Sequence, residues 1–180
     1  MIKDKDGKPL SRSEAEGIMK NRSSVTVSIF AALLALCALI GNQNSSRILN
    51  NTLMITDLWG FYQAKSIKQT IAEGQLEDAL AAKNENKALE LKRKIDRYES
   101  DPVSNEGKKE LMAIAKEHER HRDTALRKDP WFDYAEALLQ IGIVLASVAI
   151  ITSSGGLLAC SVAAGLFGTL ATVNGYLLFY

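Results

Sequence analysis

Proline and cysteine are scarce in this chain, three and two among 180 residues. Cys37 and Cys160 both fall inside long apolar runs. No disulfide framework or thiolate metal site follows from them, and the redox compartment is left open. A basic excess is missing too, since 22 Lys and Arg stand against 21 Asp and Glu, which argues against nucleic acid as a partner. Charge is absent altogether from residues 23–41, and no charged residue follows Glu136. No phosphate-cradling Gly-rich loop, nucleophile motif or paired-carboxylate constellation stands out. The chain is therefore expected not to be an enzyme and to use no cofactor. Histidine is limited to His118 and His121, three apart on one helix, with Glu117 four before the second. The HExxH spacing is lacking and zinc needs further ligands, so a solvated helix face is expected and no metal.

What the chain has is apolar sequence, gathered into blocks. Its C-terminal end reads as two apolar helices, 134–152 and 157–180, joined by Ser153-Ser154-Gly155-Gly156. Each is about as long as the roughly 20 apolar residues that cross a bilayer. So short and uncharged a link predicts a hairpin within the membrane. Residues 23–41 supply another apolar stretch of similar length, behind a polar tail at 1–22. A cleaved signal peptide is the competing reading for this stretch and needs small residues before the cut. Leu34-Ala35-Leu36-Cys37 places Leu before the Cys, which favours an uncleaved anchor. The expected fold is an all-α membrane protein with three transmembrane helices.

Between the first and second spans lies a polar insert, 42–133, rich in charges of both signs. Ile48, Ile55, Leu58, Trp59 and Tyr62 recur at three- and four-residue steps, the mark of an amphipathic helix. Helices are expected over 47–73, 76–99 and 102–128. Asn42-Gln43-Asn44-Ser45-Ser46, Gly60 and Gly74 are poor helix formers, so a bend is expected near 42–46 or Gly74. Leu80, Leu91, Ile95 and Tyr98 mark the second helix; Leu111, Ile114, Ala115, His118, Ala125 and Leu126 mark the third. Asp101-Pro102 is expected to end one helix and start the next, and Asp129-Pro130 to close the insert. Two charged amphipathic helices about a short break predict a helical hairpin, coiled-coil-like in character. Trp131, Phe132 and Tyr134 sit where an aromatic belt belongs.

Two long runs carry a resemblance. The first is Asp57-Leu58-Trp59-Gly60-Phe61-Tyr62-Gln63-Ala64-Lys65-Ser66-Ile67-Lys68. The second is Arg127-Lys128-Asp129-Pro130-Trp131-Phe132-Asp133-Tyr134-Ala135-Glu136-Ala137-Leu138-Leu139-Gln140-Ile141, continuing into Ile143-Val144-Leu145-Ala146-Ser147. In this order they resemble the bacterial membrane-protein family called domain of unknown function 4337, over roughly residues 22–180. The resemblance implies three spans and a bacterial membrane, and it brings no catalytic or ligand residues.

Small residues line each apolar helix. Ser161, Gly165, Gly168, Thr172 and Gly175 are spaced four, three, four and three, which places them on one narrow stripe. Ser24, Ser28, Ala31, Ala35, Ala38 and Asn42 do the same in the first span, and Ala135, Gly142, Ala146, Ala149 and Ser153 in the second. Small faces let helix backbones approach closely in lipid, so these stripes are expected to be packing seams. A second stripe, Glu136, Gln140 and Ser147, is a candidate polar pathway, since an ionisable group in a span is by default a functional candidate. Interfacial packing of Glu136 is the plainer reading. Asp57, Trp59, Tyr62 and Lys65 lie one turn apart and form either a local packing cluster or a docking surface.

The function these features suggest is structural: a membrane-anchored, self-associating scaffold, its partners the lipid bilayer and further copies of itself. No nucleic acid is expected, and any protein partner is left unnamed. The rival is a small oligomeric channel lined by the Glu136 stripe. Lys and Arg flank both the first span and the insert in similar number, and the dominance of a first span favours a cytoplasmic N-terminus in a bacterial inner membrane.

Overall fold

A computed structural model describes residues 11–178, and among them the chain forms four helices and no strand. They are α1 (Arg12–Ala81), α2 (Glu85–Glu99), α3 (Lys108–Thr152) and α4 (Gly155–Leu177). Residues 1–10 of the polar tail expected over 1–22, and the last two residues of the third predicted span, lie outside the described residues. Three of the helices, α1, α3 and α4, contain stretches long and apolar enough to cross a membrane.

α1 starts earlier than the apolar stretch it contains, and the cause is local. The Glu14 amide donates to Ser11 Oγ at 3.3 Å, and the Ser11 amide donates back to Glu14 Oε2 at 3.0 Å. This reciprocal cap satisfies two amides that a helix start leaves open. Hydrogen bonds from Ser11 also hold the Glu14 carboxyl below its ordinary range. From there α1 runs unbroken for 70 residues. It shows no break at 42–46 or at Gly74, where the sequence predicts a bend. Asn and Ser usually interrupt helices by bonding nearby backbone in another conformation. Here Asn44 Nδ2 and Ser45 Oγ donate instead to Asp129 Oδ1 of α3, at 2.9 and 3.3 Å.

The true stop, at Ala81, is five residues past the predicted second helix start. Lys83 takes a left-handed φ of 54°, and the Asn84 amide reaches back to the Ala79 carbonyl at 2.9 Å. That closes α1 with a C-terminal motif. Asn84 then caps α2, accepting from the Lys87 amide at 3.2 Å.

Asp101-Pro102 does not start a helix. Asp101 turns the chain instead, accepting the Ser104 amide on Oδ1 at 3.3 Å and the Asn105 amide on its carbonyl at 2.9 Å. α3 begins only at Lys108 and then passes straight through Pro130, where the sequence predicts an end. A proline inside a helix costs about 3 kcal/mol relative to alanine. The packing immediately beyond it, through Phe132, Ala135 and Leu139, offsets that cost. α3 and α4 are joined by Ser153 and Ser154 alone, with Ser153 at a φ of 50°. Gly155 and Gly156 belong to α4, although the sequence assigns them to the link.

The helices serve two compact units, one of residues up to Ser45 and from Leu126 onward, the other Ser46–Ala125. In the first, Phe30, Cys37, Phe132, Ala135 and Leu139 form the buried core, with Leu33, Leu34, Ile40, Ile143 and Ala171 packed against it. In the second, Ala72 and Ala79 of α1 meet Ala88 and Leu91 of α2, flanked by Leu76, Ile95 and Tyr98.

Candidate functional site

In the first unit the three helices lock through aromatic rings seated on glycines. Phe30 of α1 lies between α3 and α4. A β-carbon on Gly142 would be 3.1 Å from Phe30 Cδ2, and one on Gly165 would overlap the Phe30 ring outright. Further along, Phe132 of α3 lies between Gly41 and Gly175. A β-carbon on Gly41 would be 3.5 Å from Phe132 Cβ, and one on Gly175 would be 3.1 Å from Phe132 Cε1. Gly168 abuts α3 itself, with Leu139 Cγ at 3.0 Å and the Ala135 carbonyl at 3.1 Å from its would-be β-carbon. The polar groups between these rings are tied to helix partners. Ser161 Oγ donates to the Gly142 carbonyl at 2.7 Å, and Thr172 Oγ1 donates to its own helix at Gly168 and lies 3.5 Å from Cys37 Sγ.

Gly142, Ala146, Ala149, Ser161, Gly165, Gly168 and Gly175 are all buried, and Thr172 is half-buried. The first span presents a different side. Ala31 and Ala35 are exposed and Ala38 is half-buried, while Ser23, Phe30, Cys37, Gly41 and Asn44 form the buried face. The reason is steric: only Phe30 fills the socket that Gly142 and Gly165 leave open, so α1 turns that side inward.

The residues of the candidate polar stripe differ in exposure. Glu136 is half-buried, its Oε1 3.4 Å from where a Gly41 β-carbon would sit. Gln140 and Ser147 are exposed, and the Ser147 hydroxyl is satisfied by the Ile143 carbonyl at 2.8 Å. Beside α4, Trp131, Tyr134, Leu138, Phe167, Leu170 and Asn174 border an apolar groove of about 570 Å³.

In the second unit the predicted docking cluster divides. Asp57 is exposed, whereas Trp59, Tyr62 and Lys65 are half-buried and act as struts between helices. Trp59 Nε1 donates to Glu119 Oε1 at 3.1 Å and meets the Tyr62 ring edge-on at 5.4 Å. Lys65 pairs with Glu106 at 3.3 Å and stands 5.8 Å over the Tyr98 ring. Lys108 is 5.8 Å over the Tyr62 ring and pairs with Glu99 at 3.0 Å. His118 Nδ1 shares a hydrogen bond with Asn51 Oδ1 at 2.8 Å, and His121 lies 3.8 Å from Glu117. Among the described residues no three His, Cys, Asp or Glu side chains converge on a metal position. A groove of about 590 Å³ runs past Lys65, Arg93, Arg97, Tyr98, Asp101 and Glu106. Its charges are of both signs and partly matched in place, with Arg97 bonded to Asp101 at 3.2 Å.

The sequence reading overlooks the loop before α3, and Glu110 is what holds it. Ser100 Oγ donates to Glu110 Oε1 at 2.6 Å and the Asp101 amide to Oε2 at 3.1 Å. Gly107 makes room for this contact, because a β-carbon there would collide with both Glu110 and the Asp101 amide. The Ser100 hydroxyl, then the Asp101 amide, hold the Glu110 carboxyl below its ordinary range. A depressed carboxyl stabilises above its unfolded pKa, and that contribution is lost as pH falls through the folded value. Acidification below the usual carboxylate range should therefore free the loop before the helices melt. Hydrogen exchange at the Asp101 amide measures this. Glu110→Gln should exchange fast there already at neutral pH, and equal protection in both proteins would refute the cap.

Compared with known proteins, the chain matches one family model, described as domain of unknown function (DUF4337), over residues 19–178. No curated protein and no solved structure matches it.

Proposed function

The chain belongs to the DUF4337 family, a domain of unknown function, and from that premise we propose that it is a membrane-anchored structural unit that assembles with further copies of itself. In this reading the apolar stretches of α1, α3 and α4 cross a bacterial inner membrane. The polar insert forms a helical, coiled-coil-like hairpin beyond it, and the N-terminus is cytoplasmic. One observation carries the reading: three polar side chains in the first unit each join one helix to another. Ser161 holds Gly142, Asn44 holds Asp129, and Lys128 Nζ donates to the Tyr176 carbonyl at 2.9 Å. Large apolar side chains left uncovered on the charged insert, Phe61 among them at 62% exposed, support self-association.

The test uses the full chain in mild detergent and in liposomes. Mass photometry should report a homo-oligomer, and Glu136→Gln should leave it intact, since that carboxylate lies at the edge of its helix contact. Liposomes holding either protein should show ion flux no higher than empty ones. In intact cells a Cys at Asn84 should react with an impermeant reagent, as the insert is then outside. A strictly monomeric protein would remove the scaffold; cation flux abolished by Glu136→Gln would replace it with a channel.

A further inference from the structure

The groove beside α4 is walled by apolar side chains and has cations just beyond one end. Trp131, Tyr134 and Leu138 of α3 line one wall, and Phe167, Leu170 and Asn174 of α4 line the other. Arg127, Trp131, Tyr134 and Leu138 follow one another at steps of four, three and four. The exposed Arg127 therefore stands on the same face of α3 as that wall. Lys128 joins it from the next position: its Nζ donates to the Tyr176 carbonyl at 2.9 Å and lies 5.8 Å over the Tyr176 ring. The carboxylates of this stretch are turned elsewhere. Asp129 Oδ1 accepts from Asn44 and Ser45 of α1, and Glu136 Oε1 is 3.4 Å from where a Gly41 β-carbon would sit. Asp133 lies about 130° around α3 from the line through Arg127, at about 100° per residue.

We infer that this groove holds an anionic glycerophospholipid, its phosphate at Arg127 and Lys128 and one acyl chain between α3 and α4. The inference rests on the membrane placement proposed above and names a lipid chemistry for one site in it. Donors stand where the glycerol esters would come. The Trp131 indole, the Tyr134 hydroxyl and the Asn174 amide have no hydrogen-bond partner among the described residues. Cations, donors and apolar walls thus repeat the order of phosphate, ester and tail.

Length agrees. From Arg127 to Leu138 α3 rises about 16 Å at about 1.5 Å per residue, close to one leaflet of a hydrocarbon core about 30 Å thick. A guanidinium matches phosphate oxygens with two parallel N–H donors, and basic pockets between membrane helices suit anionic head groups. The groove, at about 570 Å³, falls within the range of about 300–1,000 Å³ usual for small-molecule sites. A second copy of the chain suits it less well. A two-fold pair inserted the same way up would set Arg127 against its own counterpart, bringing like charges together at the edge of the bilayer. Lipid tails alone satisfy other exposed apolar side chains of this unit, Leu36, Val144 and Leu166 among them. At this groove cations and donors are added to the apolar surface.

Tryptophan quenching in vesicles tests the site, since lipids brominated on their chains quench an indole they touch. The full chain has two tryptophans, and Trp131→Phe leaves Trp59 of the second unit to give the background. In phosphatidylcholine vesicles, a minor share of brominated phosphatidylglycerol should quench Trp131 more than the same share of brominated phosphatidylcholine. Arg127→Gln should keep full helix content and lower that preference about fivefold, the worth of one basic side chain beside an anionic head group. In the Trp131→Phe background, Leu36→Trp puts an indole on an exposed face of α1 and should be quenched equally by both lipids. Equal quenching at Trp131 would mean an ordinary lipid contact and overturn the site. The same preference at both positions, or one that Arg127→Gln leaves unchanged, would overturn it too. No quenching at Trp131 beside clear quenching of Leu36→Trp would mean that a second copy covers the groove, overturning the site while leaving the membrane placement standing. No quenching at either position would overturn both.

Discussion

Gly165→Ala is expected to destabilise the first unit by about 1–3 kcal/mol, the usual cost of overpacking a filled interior. The added methyl would land inside the Phe30 ring. That ring has nowhere to retreat, because Gly142 of α3 closes its other side, 3.1 Å from Cδ2 to a would-be β-carbon. Relief requires moving α1 away from α4 or leaving Phe30 off its rotamer, and both give up contacts in the core around Cys37 and Leu139. Unfolding of the full chain in mixed detergent with rising SDS, followed by helix content, measures the loss. Phe30→Leu should recover part of it in the Gly165→Ala background, because a shorter side chain leaves room for the methyl. Gly60→Ala is the control: its β-carbon meets nothing, and replacing a mid-helix Gly should stabilise by about 0.5–1 kcal/mol. Equal midpoints for Gly165→Ala and the native chain would show that Phe30 is not seated there.

Glycines at helical steps are readable in the sequence, and so are three apolar stretches, because both are local patterns. What each glycine meets is not readable. Phe30 and Phe132 look like ordinary apolar or interfacial residues until α3 and α4 are brought alongside α1, and only then do they decide which side of α1 turns inward. Ala31 and Ala35 follow from that decision and face out. Boundaries divide in the same way. Ser11 and Glu14 announce the start of α1 by their spacing alone, a signal available to the sequence and passed over for hydropathy. Asp101-Pro102 suits a helix start and a turn equally well by residue type. Asn105, at a φ of 55°, and the Glu110 cap decide for the turn. Pro130 reads as a stop because propensity is local, whereas the contacts that carry α3 past it come from residues far away in the chain. Trp59, Tyr62 and Lys65 could as well have been a surface as a set of struts. Their partners Glu119, Lys108 and Glu106 lie on other segments, where a single helix pattern cannot find them.

Phe132→Ala should cost the most of any single truncation, about 3–5 kcal/mol, because it removes a buried aromatic ring and leaves a cavity. Phe132 is only 3% exposed and touches all three helices of its unit: its own α3, α1 at Gly41 and α4 at Gly175. Collapse cannot fill the gap cheaply. Gly41 and Gly175 have no side chains to move in, and Trp131 is already tight against α4, its Cβ 3.0 Å from a would-be Gly175 β-carbon. The Phe132 carbonyl, 3.8 Å from Cys37 Sγ, would lose its alignment with the helix beside it. Phe30 and Phe132 sit about three helical turns apart as measured along α1 between Phe30 and Gly41, and their sockets use different glycines. Phe132→Ala and Gly165→Ala should therefore add to within about 0.5 kcal/mol, as distant sites do. The same SDS titration on the two single variants and the double reads this out. A double variant no worse than Phe132→Ala alone would mean that the two sockets yield together, and the unit would then be pinned at one place rather than two.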